Sequence, residues 1–215
     1  MSMKKLFFLF AFLVGLGISS SVYAQLVKEV TLTSSNTLAS ELGTDVGKVT
    51  TLKVNGPLGA EDFQTMKEQM NMLQVLDMSG VTELPKVGRW NESVWEELQS
   101  IPGEAFQNKL TLQTVIFPKA LEMIDQEAFS GCNTLTEIDF SKATQLRSIG
   151  HRAFYECSGL RDLDLSACTS LVGIGSNAFY RCSNLQAVNF SGCGKLTSIG
   201  SYLSLIHISE PTRHS

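Results

Sequence analysis

The chain has 215 residues and a formal net charge of −4, from 17 Lys and Arg against 21 Asp and Glu. That balance argues against a nucleic-acid binder working through a basic face, and the length fits a single domain. Five cysteines and three histidines, with no Cys-x-x-Cys spacing, leave no metal-ligand motif to read.

Lys4 and Lys5 form a basic start, Leu6 to Ile18 is an apolar run, and Val22-Tyr23-Ala24 supplies small residues at the outer positions of a cleavage site. Residues 1–24 therefore read as a signal peptide, too short in its apolar part to span a bilayer comfortably. The mature chain is expected to begin at Gln25, with no membrane span left after cleavage. Residues 25–48 read as an N-terminal cap. Val27 to Thr33 alternates as a strand does, and Asn36 to Leu42, stopped by Gly43, reads as a short helix.

From residue 49 a period sets in. Val49, Leu52 and Val54 begin it, and Leu73, Leu76, Met78, Val81 and Leu84 continue it. Between them, Ala60 to Asn71 is a helical candidate with Phe63, Met66 and Met70 on one face, as expected of core packing. The period is sharpest around Phe106, Phe129, Phe154 and Phe179, which lie 23, 25 and 25 residues apart, each preceded by alanine. A leucine follows each phenylalanine by six residues (Leu112, Leu135, Leu160, Leu185), and strands are expected to start near 49, 73, 112, 135, 160 and 185. A unit of this length cannot bury its own apolar face, so the units must stack.

One unit reads Leu160-x-x-Leu163-x-Leu165-x-x-Cys168-x-x-Leu171, the leucine-rich repeat pattern. The fold expected is an α/β leucine-rich repeat solenoid, rich in short strands stacked as a parallel ladder, over residues 49–202. The step from Leu73 to Leu112 exceeds one period by 14 residues. The excess lies between two half-repeats, Leu84-x-x-Val87-Gly88 and Leu98-x-x-Ile101-Pro102. It covers roughly residues 89–97 and carries both tryptophans, Trp90 and Trp95.

The second half of each unit is distinctive: Leu146, Ile149, Gly150, Ala153, Phe154, Cys157, Leu160, then Leu171, Ile174, Gly175, Ala178, Phe179, Cys182, Leu185. It closely resembles the BspA-like leucine-rich repeat family of bacterial surface and secreted proteins. The resemblance implies an exported, bacterial interaction scaffold. It transfers no catalytic residue, because the shared motif is structural.

Cys132, Cys157 and Cys182 form one series at 25-residue spacing, and Cys168 and Cys193 another. Stacked residues have parallel Cβ vectors, with Cβ atoms about 4.8 Å apart where a bridge wants about 3.8 Å, so buried free thiols are expected. Outward strand positions put Asp77, Ile116, Asp139, Asp164 and Asn189 in one register, with Glu137 and Asp162 two residues before their aspartates. This strip is either a face for a basic partner or divalent cation, or an ordinary solvated sheet face. Ser79, Ser141, Ser166 and Ser191 follow the strands and are expected to bond turn backbone. Trp90 and Trp95 either form a platform for a carbohydrate or protein, or pack the insertion onto the solenoid.

Leu203 to Arg213 reads LSLIHISEPTR, which resembles a translated transposase-type sequencing adapter. The register asks for Ala-Phe at 203 and 204, where Leu203 and Ser204 stand. Residues 203–215 are therefore expected to be a non-native tail on a repeat cut in mid-unit. Residues 25–202 retain 14 basic and 20 acidic residues, a net charge of about −6, and His151 as their single histidine. No nucleophile set, phosphate loop or cofactor motif stands out. The expected function is noncatalytic binding of an extracellular protein or glycan, secreted or at the cell surface, with no cofactor. Two alternatives remain open: an accessory module of a larger secreted enzyme, and a structural stalk.

Overall fold

The structure is a computed structural model that describes residues 25–91 and 94–202, with the side chains of 89–95 outside the description. The expectations for residues 1–24 and 203–215 lie outside the described residues. In chain order the elements are β1 (Leu26–Thr31), α1 (Leu38–Leu42), a 3-10 turn (Gly43–Lys48), β2 (Val49–Pro57), α2 (Ala60–Glu68) and β3 (Val75–Glu83). Then come β4 (Lys86–Asn91), β5 (Val94–Ile101), β6 (Thr114–Ile116), β7 (Met123–Ile124), β8 (Glu137–Asp139) and β9 (Ser148–Ile149). The last four are β10 (Asp162–Asp164), β11 (Gly173–Ile174), β12 (Ala187–Asn189) and β13 (Ser198–Ile199).

From the unit of β3 onward, each repeat contributes one strand to each of two parallel stacks, while the unit of β2 has α2 in place of the second strand. The first sheet runs β1-β2-β3-β6-β8, all parallel, with β10-β12 as a separate parallel pair. The second runs β13-β11-β9-β7-β5-β4, parallel except for β4 against β5. From β6 onward the first-sheet strands have three residues because the leucines two positions before each start already turn into the core. Leu112, Leu135, Leu160 and Leu185 are all buried. Alternation then sends Val115, Leu163 and Val188 inward and their neighbours outward.

Side chains stack in the core as the backbone does. Phe106, Phe129, Phe154 and Phe179 form a ladder with ring centroids 5.1, 5.2 and 5.4 Å apart and interplanar angles of 16°, 6° and 4°. Phe63 of α2 meets the first rung edge-on at 5.9 Å, so α2 occupies the position of an Ala-Phe turn in its own unit. Phe63, Met66 and Met70 are buried, as the helical spacing predicts, although the helix itself ends at Glu68.

The Ala-Phe turns carry their own hydrogen-bond column. The amides of Phe106, Phe129 and Phe154 donate to the carbonyls of Ala128, Ala153 and Ala178 one unit ahead, at 2.7, 2.8 and 2.8 Å. Residues two before and two after each phenylalanine take positive φ, including Glu104, Asn108, Glu127, Arg152, Glu156, Asn177 and Arg181. A non-glycine residue there costs about 1–2 kcal/mol, and the column of inter-repeat bonds offsets it. Glycine recurs where the second ladder leaves its strand, because a Cβ at Gly175 would stand 2.6 Å from the Gly150 backbone.

All five cysteines are buried and unpaired. Cys132, Cys157 and Cys182 each donate a thiol hydrogen bond to the carbonyl of the ladder phenylalanine one unit back, Phe106, Phe129 and Phe154, at 3.0, 3.1 and 3.1 Å. Cys193 does the same to Leu165 at 3.2 Å. The thiols are thus satisfied donors between rungs. Burial pushes Cys132, Cys168 and Cys182 up to about 12, which leaves them without thiolate at neutral pH. Lys109 stands at the cysteine position of the first such unit. It is buried, its amine reaches the Lys67 carbonyl at the end of α2 at 3.4 Å, and burial lowers its pKa.

Residues 25–48, the expected cap segment, contribute β1 as a further rung on β2 and bury Leu32, Leu38 and Leu42. Asp62 ties them to α2. Its buried carboxylate accepts from the amides of Asn36 (2.6 Å), Leu38 (2.9 Å) and Gly59 (2.8 Å), capping α1 and α2 together. Asn36 answers by accepting from the Glu61 amide at 3.0 Å.

Candidate binding surface

The first sheet presents one outward row of side chains: Glu29, Lys53, Asp77, Ile116, Asp139, and then Asp164 and Asn189 on the β10-β12 pair. The row is not a uniform acidic strip. Lys53 bonds Glu29 at 2.6 Å and lies beside Asp77, and these neighbours raise its pKa. Further along, the row's acceptors are engaged with the chain's own turns. Asp77, Asp139, Asp164 and Asn189 accept from the amides of Ser79, Ser141, Ser166 and Ser191 at 2.8, 2.7, 2.9 and 3.0 Å. These are Asx-turns.

The serine expectation is corrected by this pattern. The serines supply backbone donors, and the side chain that bonds turn backbone is the aspartate or asparagine before them. The Ser166 hydroxyl, then its amide, hold the Asp164 carboxyl below the usual range, against partial burial and the like charge of Asp139. The exception in the column explains itself. Ile116 falls in the 23-residue unit, where Phe117 is followed at once by Pro118, a shorter turn with no serine amide to receive. Pro118 stands where the serine would and has no N–H, so the acceptor column tracks the presence of a turn amide. Glu137 and Asp162 are exposed in the neighbouring outward row, two residues along their strands from Asp139 and Asp164. Among the described residues no group of three or more His, Cys, Asp or Glu is placed to hold a metal ion.

The insertion is a β-hairpin of β4 and β5, wider than the expected 89–97. The two half-repeat copies that bracket it are not equivalent. Ser100 and Ile101 join the second ladder in parallel with Met123 and Ile124, while Val87 pairs antiparallel with Leu98. The first copy folds back instead of making a rung. Trp90 and Trp95 are cross-strand partners in the hairpin backbone, and their side chains lie outside the description. The tryptophans lie on β4 and β5 of the second sheet, Glu137 and Asp139 on β8 of the first and Asp162 and Asp164 on the β10-β12 pair, so the backbone does not bring the two candidate groups into one sheet.

A feature that sequence reasoning missed lies between the hairpin and the second ladder. It is a groove of about 610 Å³, with hairpin residues Glu96 and Leu98 on one side and Arg147, His151, Val172 and Gly173 among the ladder residues on the other. Arg147 Nη2 meets Glu96 Oε2 across it at 2.9 Å, with both side chains about one-third exposed. The available signal was the insertion itself, since an irregular element must lie against some regular one. The contact of Glu96 with Arg147 spans two units and has no periodic trace.

The family description "BspA type Leucine rich repeat region" matches residues 99–205 in six copies. No curated protein matches. Among solved structures, the chain is similar to a T. pallidum leucine-rich repeat protein at 24% identity, covering 72% of this chain and 78% of that one, with a TM-score of 0.37. A leucine rich cell surface protein from Faecalibacterium prausnitzii matches at 16% identity over 77% of this chain and 52% of that one, TM-score 0.39. A leucine-rich repeat protein from Bacteroides ovatus matches at 18% identity over 72% and 45%, TM-score 0.38. The chain thus spans about half the length of the last two. Residues 99–205, which hold the four stacked phenylalanine turns and the cysteine column, thus carry the BspA-type leucine-rich repeat.

Proposed function

We propose that the chain is an exported binding module without chemistry of its own, working at or outside a bacterial envelope on an extracellular protein or glycan. The observation that carries this is the division of labour between inside and outside. The ladders fill the interior, with Phe154, Leu160, Cys157 and their equivalents buried, while the outward strand positions offer a continuous repeated surface. Such a surface suits large partners. Repeat membership supports an interaction role, and families of this kind are generally non-catalytic. Export rests on Lys4, Lys5 and the apolar run after them. No helix among the described residues is long and apolar enough to cross a membrane.

The test is a glycan and extracellular-protein array probed with wild type, an Asp139→Asn/Asp164→Asn variant and a Trp90→Ala/Trp95→Ala variant. Asn189 shows that asparagine makes the same Asx-turn in this column, so the first variant removes charge and keeps the turn. Weaker capture of a basic partner places binding on the first sheet, and weaker capture by the second variant places it on the hairpin. Hydrolytic turnover of any arrayed ligand by the purified chain would reject the reading.

A further inference from the structure

We propose that the groove under the hairpin is a carbohydrate subsite that takes a neutral, chain-like oligosaccharide; this rests on the binding-module reading and names a ligand class for it. The volume, about 610 Å³, is in the range of small-ligand clefts. Its polar groups converge from separate elements: Glu96 from β5, Arg147 from the turn before β9, Asp125 after β7 and His151 after β9. Between them lie apolar surfaces from Leu98, Met123 and Val172, the last 42% exposed.

Charge narrows the ligand. Arg147 is already paired with Glu96 at 2.9 Å, and Asp125 adds a second carboxylate to the lining. No surplus of positive charge is available for a phosphate or an acidic peptide. Backbone narrows it further. An extended peptide that binds by adding a strand needs an open sheet edge. Here the floor is the interior of the second sheet, where β5, β7, β9 and β11 each have a paired neighbour on both sides. What remains for recognition is a planar guanidinium, carboxylates, an imidazole and hydroxyls beside apolar patches. That set matches vicinal hydroxyls on one face of a sugar and C–H groups on the other.

Gly173 makes the site testable. It occupies the column held by Ser148 and Ser198 in the adjacent units, and a Cβ there would meet nothing nearer than the Ser198 carbonyl oxygen at 3.8 Å. A large side chain at this position would fill the groove without displacing backbone. The experiment titrates the full chain with neutral hexasaccharides of the glucan, xylan, mannan and chitin types, by calorimetry and by NMR. At least one should bind saturably, and Gly173→Phe should weaken it at least tenfold with the melting temperature unchanged. Arg147→Gln, whose side chain no core contact requires, should weaken the same ligand and serves if the first variant melts early. Absence of binding across the panel overturns the proposal, as does binding that both variants leave intact. If a protein partner is instead captured through Asp139 and Asp164 and ignores Gly173→Phe, the groove assignment fails and the module reading stands.

Discussion

The stacked turns around Phe129 and Phe154 and the hairpin of β4 and β5 are built on opposite rules. In the turns every residue has a counterpart one unit away, so rings stack on rings, thiols reach the carbonyls behind them and amides reach the carbonyls ahead. In the hairpin the chain pairs with itself, Val87 against Leu98 and Trp90 against Trp95, and reaches the ladder through Ser100, Ile101 and the Glu96–Arg147 pair. Repetition supplies stability because each contact is made many times. It also levels the surface, so the concavity arises where repetition is interrupted. The ladders and the hairpin are thus built on different rules, and the proposed groove lies where repetition is interrupted.

Substitutions can break that comparison, and the largest effect is expected in the ladder. Phe154 is buried between two stacked rings, and Phe154→Ala should cost about 3–5 kcal/mol in denaturant unfolding. A loss under 1 kcal/mol would mean the rings do not carry the fold. Asp62→Ala should cost about 3 kcal/mol, since it strands three amides, each worth about 1–3 kcal/mol when buried and unsatisfied. Its effect should be read at the α1–α2 end, for example as faster proteolysis within residues 25–48. Loss of the ladder with that segment intact would contradict the clasp.

Alkaline unfolding sharpens the same contrast. A thiol whose folded pKa is raised stabilises fully below its unfolded value, near 9, and that contribution is lost as pH rises toward about 12. Each such thiol should subtract up to about 1.4 kcal/mol per pH unit across that window. A protein with Cys132, Cys157 and Cys182 replaced by alanine should lose stability less steeply there, although it starts lower. Equal slopes would place the thiols in water. The smallest effect is expected on the first sheet. Asp164→Asn should leave the melting temperature unchanged, whereas Asp164→Ala should cost about 1 kcal/mol for the lost turn bond. The Asp164 carboxyl is held low, so its contribution is present at neutral pH and fades as pH falls through its folded value, below the ordinary 3.8.

The sequence made the ladders legible because a column needs the same residue type at the same step. The spacing alone places Phe129, Phe154 and Phe179, and the leucines six residues later, in the core. Features without a second copy were not legible. Leu84-x-x-Val87-Gly88 has the composition of a half-repeat, yet its strand reverses because the hairpin returns it against β5. The positive φ at Glu127, Arg152 and Glu156 was hidden because the neighbouring unit's hydrogen bonds impose it against local preference. The aspartate column was visible, but the reason for it was not. Ile116 beside the shortened Phe117-Pro118 turn is the clue that the acceptor serves the turn. The groove depends on a contact between residues 96 and 147, and pairing at that distance leaves no pattern in one sequence.

The separation of ladder from hairpin is tested most directly by native-state hydrogen exchange on residues 25–202, followed residue by residue in increasing denaturant. The amides of Phe129 and Phe154, bonded to Ala153 and Ala178 at 2.8 Å, should exchange only through global unfolding, with the full denaturant dependence. The hairpin amides around Gly88 and Glu97 should exchange through a smaller opening that leaves the ladder closed. Hairpin and ladder amides merging into one exchange isotherm at the global free energy would contradict the account, because the hairpin would then be part of the cooperative core.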